Sequence, residues 1–121
     1  MITKLKLSLF KFLFYIYPPY LGSGIFVRKI APDFKELVVQ MKMRWFNRNY
    51  VGTHFGGSLY AMTDPIFMLM LIKILGKDYI VWDKSAVINF IKPGKGTVTA
   101  RFLIEEEDVK TILQHTSDGS K

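Results

Sequence analysis

The sequence predicts an α+β protein in which an antiparallel sheet wraps a long central helix, with an amphipathic helix in front of both. Residues 58–75 form the longest apolar run of the chain, and a helix buried inside protein suits such a run. The segments on both sides are rich in β-branched and aromatic residues, which favour strands. One apolar helix between strands of this kind indicates the class.

The composition limits the partners that we expect. The 121 residues suffice for one domain, and half of them are hydrophobic. The absence of cysteine excludes disulfides and thiolate chemistry. A net charge of +7 favours an acidic partner, such as anionic lipid or a phosphate-bearing small molecule. No nucleic-acid-binding motif is present, so we expect no nucleic acid partner. We expect a cytoplasmic protein, with membrane association as the alternative.

Residues 1–17 have the pattern of an amphipathic helix, and we assign residues 1–20 to it and residues 21–121 to the main domain. Its polar side carries Lys4, Ser8, Lys11 and Tyr15, and another side carries Leu5, Leu9, Phe12 and Ile16. The segment is too short and too charged for a membrane span. It either packs on the fold or on a second subunit, or lies on a membrane surface that contains anionic lipid.

A hairpin is expected next. The two prolines within residues 17–20 end the first helix, and Gly22-Ser23-Gly24 joins it flexibly to a short strand at Ile25–Ile30. A turn then leads into residues 36–46, where apolar and polar side chains alternate as in a half-buried strand.

The central helix is expected to begin at a glycine pair and to be interrupted once. Gly56 and Gly57 stand at its start, where unpaired N–H groups favour negative charge. Pro65, which follows Asp64, either kinks the helix or opens a fresh helix that a preceding side chain caps. We expect Gly76 to be the C-cap of this helix.

Two long strands and a helix complete the expected fold. Residues 79–91 and residues 97–104 have strand composition, with a Pro-Gly turn between them. The acidic run at residues 105–108 starts a helix that reaches about His115.

Two blocks of this sequence resemble the hotdog-fold thioesterases over roughly residues 24–105. The first block comprises Asn49, His54-Phe55-Gly56-Gly57 and Asp64, and the second runs from Ile88 to Val98. The similarity is closest to the uncharacterised thioesterase-like members, in which Tyr-Ala-Met-Thr-Asp-Pro follows a glycine pair, as at residues 60–65. The resemblance implies a hotdog fold, homodimers and two last strands that this sequence lacks.

The resemblance also implies roles for the first block. In the better-known branch the amide of the residue matching Gly56 polarises a thioester carbonyl. The carboxylate matching Asp64 attacks that carbonyl or activates water, and the amide side chain matching Asn49 helps to position the attack. Phe55 stands where that branch has histidine, and His54 comes one residue earlier.

Two functions therefore remain open. The first is an acyl-CoA thioesterase with Asp64, Gly56, Gly57 and Asn49 as catalytic residues. His54, Phe55, Arg48 and Arg44 would then contact the substrate, the arginines near the coenzyme A phosphates. No cofactor is expected beyond coenzyme A as part of the substrate, and no metal. The second is a non-catalytic acyl- or lipid-binding module, in which Asp64 is a helix cap or kink partner, the glycine pair a plain turn and His54 a structural hydrogen bonder.

Overall fold

The computed structural model of the chain describes residues 2–119 and places five helices and three strands there. In chain order these elements are α1 (Lys4–Ile16), α2 (Pro18–Ser23), β1 (Ile25–Ile30), β2 (Glu36–Met41), α3 (Gly56–Ala61), α4 (Ile66–Leu75), β3 (Val98–Leu103) and α5 (Glu106–Thr116). The α+β class and the N-terminal helix are confirmed.

The sheet has the antiparallel order β1-β2-β3 within the described residues. β1 begins and ends where the sequence predicts, and it forms a hairpin with β2 in which Ile25 pairs with Met41 and Ile30 with Leu37. A register shift between Val27 and Lys29 marks a β-bulge, which adds twist to the edge strand. β3 pairs with the other side of β2 over six residues.

One hydrophobic core joins the sheet to the central helix. Alternate residues of β2 point to the same face of the sheet, and three of them are fully buried. The central helix contributes residues spaced four apart, which form a single stripe along it. The buried residues from the two elements are Leu37, Val39, Met41, Met62, Ile66 and Met70.

The central helix is bent at the proline, as one of the two interpretations predicts. The N–H of Asp64 donates to the carbonyl of Tyr60 at 2.9 Å, so helical bonding continues from α3 into the turn. Pro65 then precedes α4, and no side chain caps that helix. Gly76 ends α4 with a φ of 83°, and its N–H donates to the carbonyl of Ile72. The predicted glycine C-cap is therefore present.

Residues Gly56–Leu75 are also long and apolar enough to cross a bilayer, with a mean hydropathy of 1.5. A core helix has the same length and composition. Here Met62, Ile66 and Met70 of this segment are buried in one core with the sheet, and 22% of its most apolar stretch is buried in all.

β2 is shorter than the sequence predicts because a buried asparagine turns the chain. The strand ends at Met41 rather than at Phe46. The Oδ1 atom of Asn47 accepts a hydrogen bond from the N–H of Arg44, and its Nδ2 donates to the carbonyl of Lys42. These bonds close a compact turn where an extended strand would continue.

The prolines after α1 start a helix as well as ending one. α2 has proline in its first turn, where the missing N–H costs no helical hydrogen bond. Gly24 ends α2 in the left-handed conformation with a φ of 73°. The segment predicted as a flexible join is therefore the last turn of a short helix.

The strand predicted over residues 79–91 does not form, and this prediction is wrong for the described chain. Strands require a hydrogen-bonding neighbour, and in residues 2–119 the sheet has only three strands, with β3 paired to β2. The segment lies outside the core, and its side chains at Ile80 and Trp82 are 92% and 71% exposed.

Candidate functional site

The glycine pair forms the open N-terminal end of the central helix. α3 starts at Gly56, and its N-cap residue is Phe55, whose side chain carries no acceptor for the first N–H groups. The first turn of any helix leaves its N–H donors without acceptors inside the helix. This end of the helix therefore offers backbone donors to an anionic or carbonyl oxygen.

Aromatic rings lie against both glycines. A Cβ atom at position 56 would come within 3.2 Å of the Phe90 ring. A Cβ atom at position 57 would come within 2.5 Å of the Phe55 ring. The bare backbone thus lets the two rings approach the helix end closely.

A groove of about 650 Å³ lies beside this end of the helix. α3 contributes one residue to it, and the segment before β3 together with the first residue of β3 contributes the others. The wall is mostly apolar with two lysines. The lining residues are Leu59, Ile88, Asn89, Phe90, Ile91, Lys92, Pro93, Gly94, Lys95, Thr97 and Val98.

His54 connects the glycine loop to this groove. Its side chain is 2% exposed, and its Nε2 lies 2.6 Å from the carbonyl oxygen of Gly96. A carbonyl only accepts, so Nε2 carries the proton. The backbone N–H of His54 donates to the carbonyl of Gly94 at 2.9 Å. The side chain therefore holds the turn at residues 93–96 in place. This contact is the one expected of His54 as a structural hydrogen bonder.

Asn49 organises the loop before the helix. Its Nδ2 donates to the Thr53 hydroxyl at 2.8 Å and to the carbonyl of His54 at 3.4 Å. Its Oδ1 accepts from the N–H groups of Val51 and Thr53. These contacts hold the loop that presents the glycine pair.

Asp64 lies at the bend of the helix, and its side chain is exposed between two tyrosines. The pKa of Tyr60 is raised by loss of solvent, then by the charge of Asp64 and a hydrogen bond to it. The pKa of the buried Tyr20 is also raised, by burial first and by the charge of Asp64 second. The Tyr20 hydroxyl itself donates to the carbonyl of Met62 at 3.1 Å.

The glycine amides and the carboxylate are separated along the sequence of the central helix. Asp64 follows Gly56 by eight residues, so about 12 Å of helix separates them at 1.5 Å per residue. A carbonyl oxygen bonded to the Gly56 amide would lie about 3 Å from that amide, much closer than this regular-helix spacing puts Asp64.

The two arginines expected near the phosphates lie at the surface on the loop before the helix. Arg44 and Arg48 are exposed, and Arg48 forms an isolated bridge with His54. The cations that line the groove are not these arginines. They are Lys92 and Lys95, in the segment before β3.

Sequence reasoning missed three neighbours of the proposed site, and one of them has a sequence signal. Tyr60 stands four residues before Asp64, a spacing that brings side chains together on a helix. Phe90 over Gly56 and Tyr20 near Asp64 come from distant segments, so spacing alone could not reveal them.

Solved structures share this fold at low sequence identity. A protein of unknown function from Pseudomonas aeruginosa, described as a probable thioesterase, matches with a TM-score of 0.72 and 16% identity over 98% of this chain and 77% of its own. A protein of unknown function from Chlorobaculum tepidum matches with a TM-score of 0.69 and 19% identity, covering 95% and 71%. Thioesterase superfamily member 2 from Mus musculus matches with a TM-score of 0.55 and 16% identity, covering 83% and 73%.

These matches confirm the hotdog fold. No curated protein sequence matches the chain. The model of a family described as a domain of unknown function (DUF4442) matches residues 7–119, nearly the whole sequence. The chain therefore belongs to the DUF4442 family.

Proposed function

We propose that this protein hydrolyses an acyl-CoA thioester at the N-terminal end of its central helix. The observation that carries the proposal is the location of Gly56 and Gly57. They form an uncapped helix end beside an open groove, in a fold whose solved relatives include a probable thioesterase. Backbone donors at such an end stabilise the negative oxygen that develops during acyl transfer.

The reaction needs one base and one set of donors. The thioester carbonyl oxygen accepts hydrogen bonds from the Gly56 and Gly57 amides. Asp64 takes a proton from water as the water oxygen attacks the carbonyl carbon, or it attacks that carbon itself. The carbon–sulfur bond then breaks, and the coenzyme A thiolate leaves and takes up a proton. Direct attack leaves an anhydride, which water hydrolyses.

The distance along the helix requires two copies of the chain. Because eight residues of regular helix span about 12 Å, we assign the carboxylate that acts on a carbonyl at Gly56 to a second copy. We therefore propose a homodimer with two equivalent composite sites. The exposed apolar segment at residues 79–91 supports this assembly, since it offers surface that a second copy would cover.

Charged groups near the groove suit the rest of the substrate. Lys92 and Lys95 line it, and Arg44 and Arg48 lie exposed on the loop before the helix. The phosphates of coenzyme A are suitable partners for these cations. Leu59, Ile88 and Phe90 give the same groove an apolar wall for the acyl group.

The first experiment tests the base. Thiol release from a panel of acyl-CoAs is measured for the wild type, for Asp64→Asn and for Glu107→Gln, an exposed carboxylate on α5. Loss of a general base should lower kcat by about 10²-fold or more in Asp64→Asn alone. Equal rates in the three proteins, or no thiol release across the panel, would contradict the proposal.

The second experiment removes one amide donor. Gly56 is the first helical residue, where proline is well tolerated, so Gly56→Pro deletes the N–H and keeps the helix. Gly56→Ala is the matched control, because it adds a Cβ atom and retains the donor. Loss of one such donor should lower kcat by about 10²-fold in the proline variant relative to the alanine variant.

The third experiment tests the composite site. Asp64→Asn and Gly56→Pro chains are mixed after separate purification and dissociation. Mixed dimers then hold one intact site, so a random mixture should recover about one quarter of the wild-type rate. If the mixture is as inactive as each variant alone, the Asp64 carboxylate and the Gly56 amide act within one chain, and the composite-site model is wrong.

A non-catalytic acyl-binding module is the second candidate. Phe55 and Phe90 pack against the glycines, which makes the helix end more apolar than the chemistry requires. This function predicts that the wild type binds acyl-CoA by calorimetry and releases no thiol. Asp64→Asn should then bind with unchanged affinity.

A further inference from the structure

α1 carries two separate apolar faces, and the core uses only one of them. Leu7, Phe10 and Phe14 pack against the buried core. At about 100° per residue these side chains point in one direction from the helix axis. The predicted apolar side, at Leu5, Leu9, Phe12 and Ile16, points in the opposite direction.

That outer face is exposed along its whole length. Leu5 is 81% exposed and Phe12 is 57% exposed, and no residue of α1 is buried. The outer face therefore forms a continuous apolar stripe over about three turns of helix. Isolated apolar residues at a surface are ordinary, whereas a stripe of this length calls for an occupant.

Lysines border the stripe on both sides. At the same angular spacing Lys4 and Lys11 lie along one border and Lys6 along the other. The Lys11 ammonium donates to the carbonyl of Arg28 at 3.0 Å, while Lys4 and Lys6 are exposed. No acidic residue occurs in the sequence before Asp33, so α1 itself carries only basic charges.

We propose that the outer face of α1 docks on a lipid bilayer that contains anionic headgroups. The stripe inserts Leu5, Leu9 and Phe12 into the boundary between headgroups and acyl chains. The flanking lysines contact the anionic headgroups. This geometry is the one that amphipathic helices adopt at membrane surfaces. The inference does not depend on thioester hydrolysis.

Charge decides between a bilayer and a second copy of the chain. A symmetric contact between two α1 helices would bring Lys4 and Lys6 of one copy against the same lysines of the other. Because α1 carries no acidic residue of its own, that helix-to-helix contact would be repulsive. An anionic membrane complements both the stripe and its borders.

The apolar surface continues from the stripe into the fold. A groove of about 310 Å³ runs between α1 and α4, with Phe10, Leu13, Phe14, Tyr17, Pro65, Met68 and Leu69 as its lining. Leu13 and Tyr17 are exposed, and Leu13 lies beside Leu9 and Ile16 of the stripe. Docking of α1 would thus cover one connected apolar region rather than a single ridge.

The electrostatic part is tested by vesicle flotation of the full chain. Phosphatidylcholine vesicles with about one third phosphatidylserine should carry the wild type, and pure phosphatidylcholine vesicles should carry much less. Lys4→Gln with Lys6→Gln should lower the partition coefficient by about 30-fold, from about 1 kcal/mol per lysine. Lys84→Gln with Lys110→Gln removes the same charge elsewhere and should leave it within about threefold.

The apolar part is tested by Leu9→Ser with Phe12→Ser, because both side chains are exposed and their loss leaves the core intact. Flotation should fall by about tenfold or more, with an unchanged thermal unfolding midpoint. Leu103→Ser on the exposed side of β3 is the control.

Three outcomes would overturn the proposal. The wild type stays at the bottom of the gradient with both kinds of vesicle, or the two lysine pairs behave alike. In the third outcome sedimentation shows that Leu9→Ser with Phe12→Ser turns a wild-type dimer into a monomer while flotation is unaffected. That result would assign the stripe to a second copy.

Discussion

The Nε2 atom of His54 lies 2.6 Å from the carbonyl oxygen of Gly96, and this bond joins the loop before the central helix to the turn before β3. The two residues are 42 positions apart in the sequence. The bond therefore fixes one wall of the groove relative to the glycine pair, as well as stabilising the fold.

Replacing His54 should destabilise the protein more when the new side chain has no N–H donor for the Gly96 carbonyl. His54→Leu leaves the Gly96 carbonyl without its partner and should lower the free energy of unfolding by about 2 kcal/mol. His54→Gln retains an N–H donor at a similar reach and should lose less. Urea denaturation of the three proteins measures this order, and equal losses would mean that packing alone explains the role of His54.

Asn47 should matter more for folding than its position in a loop suggests. It is 2% exposed, and its side chain bonds to Arg44 N, to the carbonyl of Ser23 and to that of Lys42. Asn47→Ala removes three hydrogen bonds at about 1 kcal/mol each, so the free energy of unfolding should fall by about 3 kcal/mol.

The control for Asn47→Ala is the substitution Asn47→Asp, which preserves the shape of the side chain. Asn47→Asp keeps the bond from Arg44 but turns an oxygen toward two carbonyls, so it should be nearly as destabilising. A stable Asn47→Asp protein would show that the two carbonyl contacts contribute little.

Glu36 should make stability depend on acid pH. Its carboxylate bonds to Lys29 and to Arg101, both at 2.6 Å, and these bonds lower its pKa from the ordinary value of 4.5. The folded state then binds its proton less readily than the unfolded state. This contribution is complete above about pH 4.5 and is lost as the pH falls through the lowered pKa.

The measurement compares urea midpoints at pH 7 and pH 3 for the wild type and Glu36→Gln. The glutamine variant lacks the titrating group, so its midpoint should change less between the two pH values. Parallel changes in both proteins would show that other carboxylates dominate the acid response.

Tyr60 should report on Asp64 by its own titration. The pKa of the Tyr60 hydroxyl is raised above 10.0, first by desolvation and then by the charge of Asp64 and a hydrogen bond to it. Asp64→Asn removes the charge, so the pKa of Tyr60 should move down toward 10.0. Carbon NMR of ring-labelled tyrosine follows this shift, with Tyr60→Phe to assign the signal. An unchanged pKa would mean that the carboxylate points away from the ring.

The parts of the fold that could be predicted are those set by local pattern. Ile25–Ile30 and the helix at α5 follow from composition and from acid at a helix start, where Glu105 and Asp108 form a capping box. The bend at Pro65 follows from the missing N–H of proline. Each of these effects acts within a few residues.

The parts that could not be predicted depend on distant partners. The side chain of Asn47 ends β2 early by bonding partly to Ser23, which is 24 residues away. Residues 79–91 have strand composition, yet a strand exists only beside another strand. The sequence pattern also identified both the outer stripe of α1 and its polar side, but it could not tell which direction faces the core.

The exposed segment at residues 79–91 and the charge of +7 have opposite effects on how copies of the chain meet. In dilute buffer the Debye length is about 30 Å, so mutual repulsion keeps the molecules apart before apolar side chains can touch. In about 1 M salt the Debye length is only about 3 Å, so the exposed side chains of Ile80 and Trp82 can contact a second copy. Self-association should therefore increase with ionic strength, the reverse of what an assembly held by ion pairs would do.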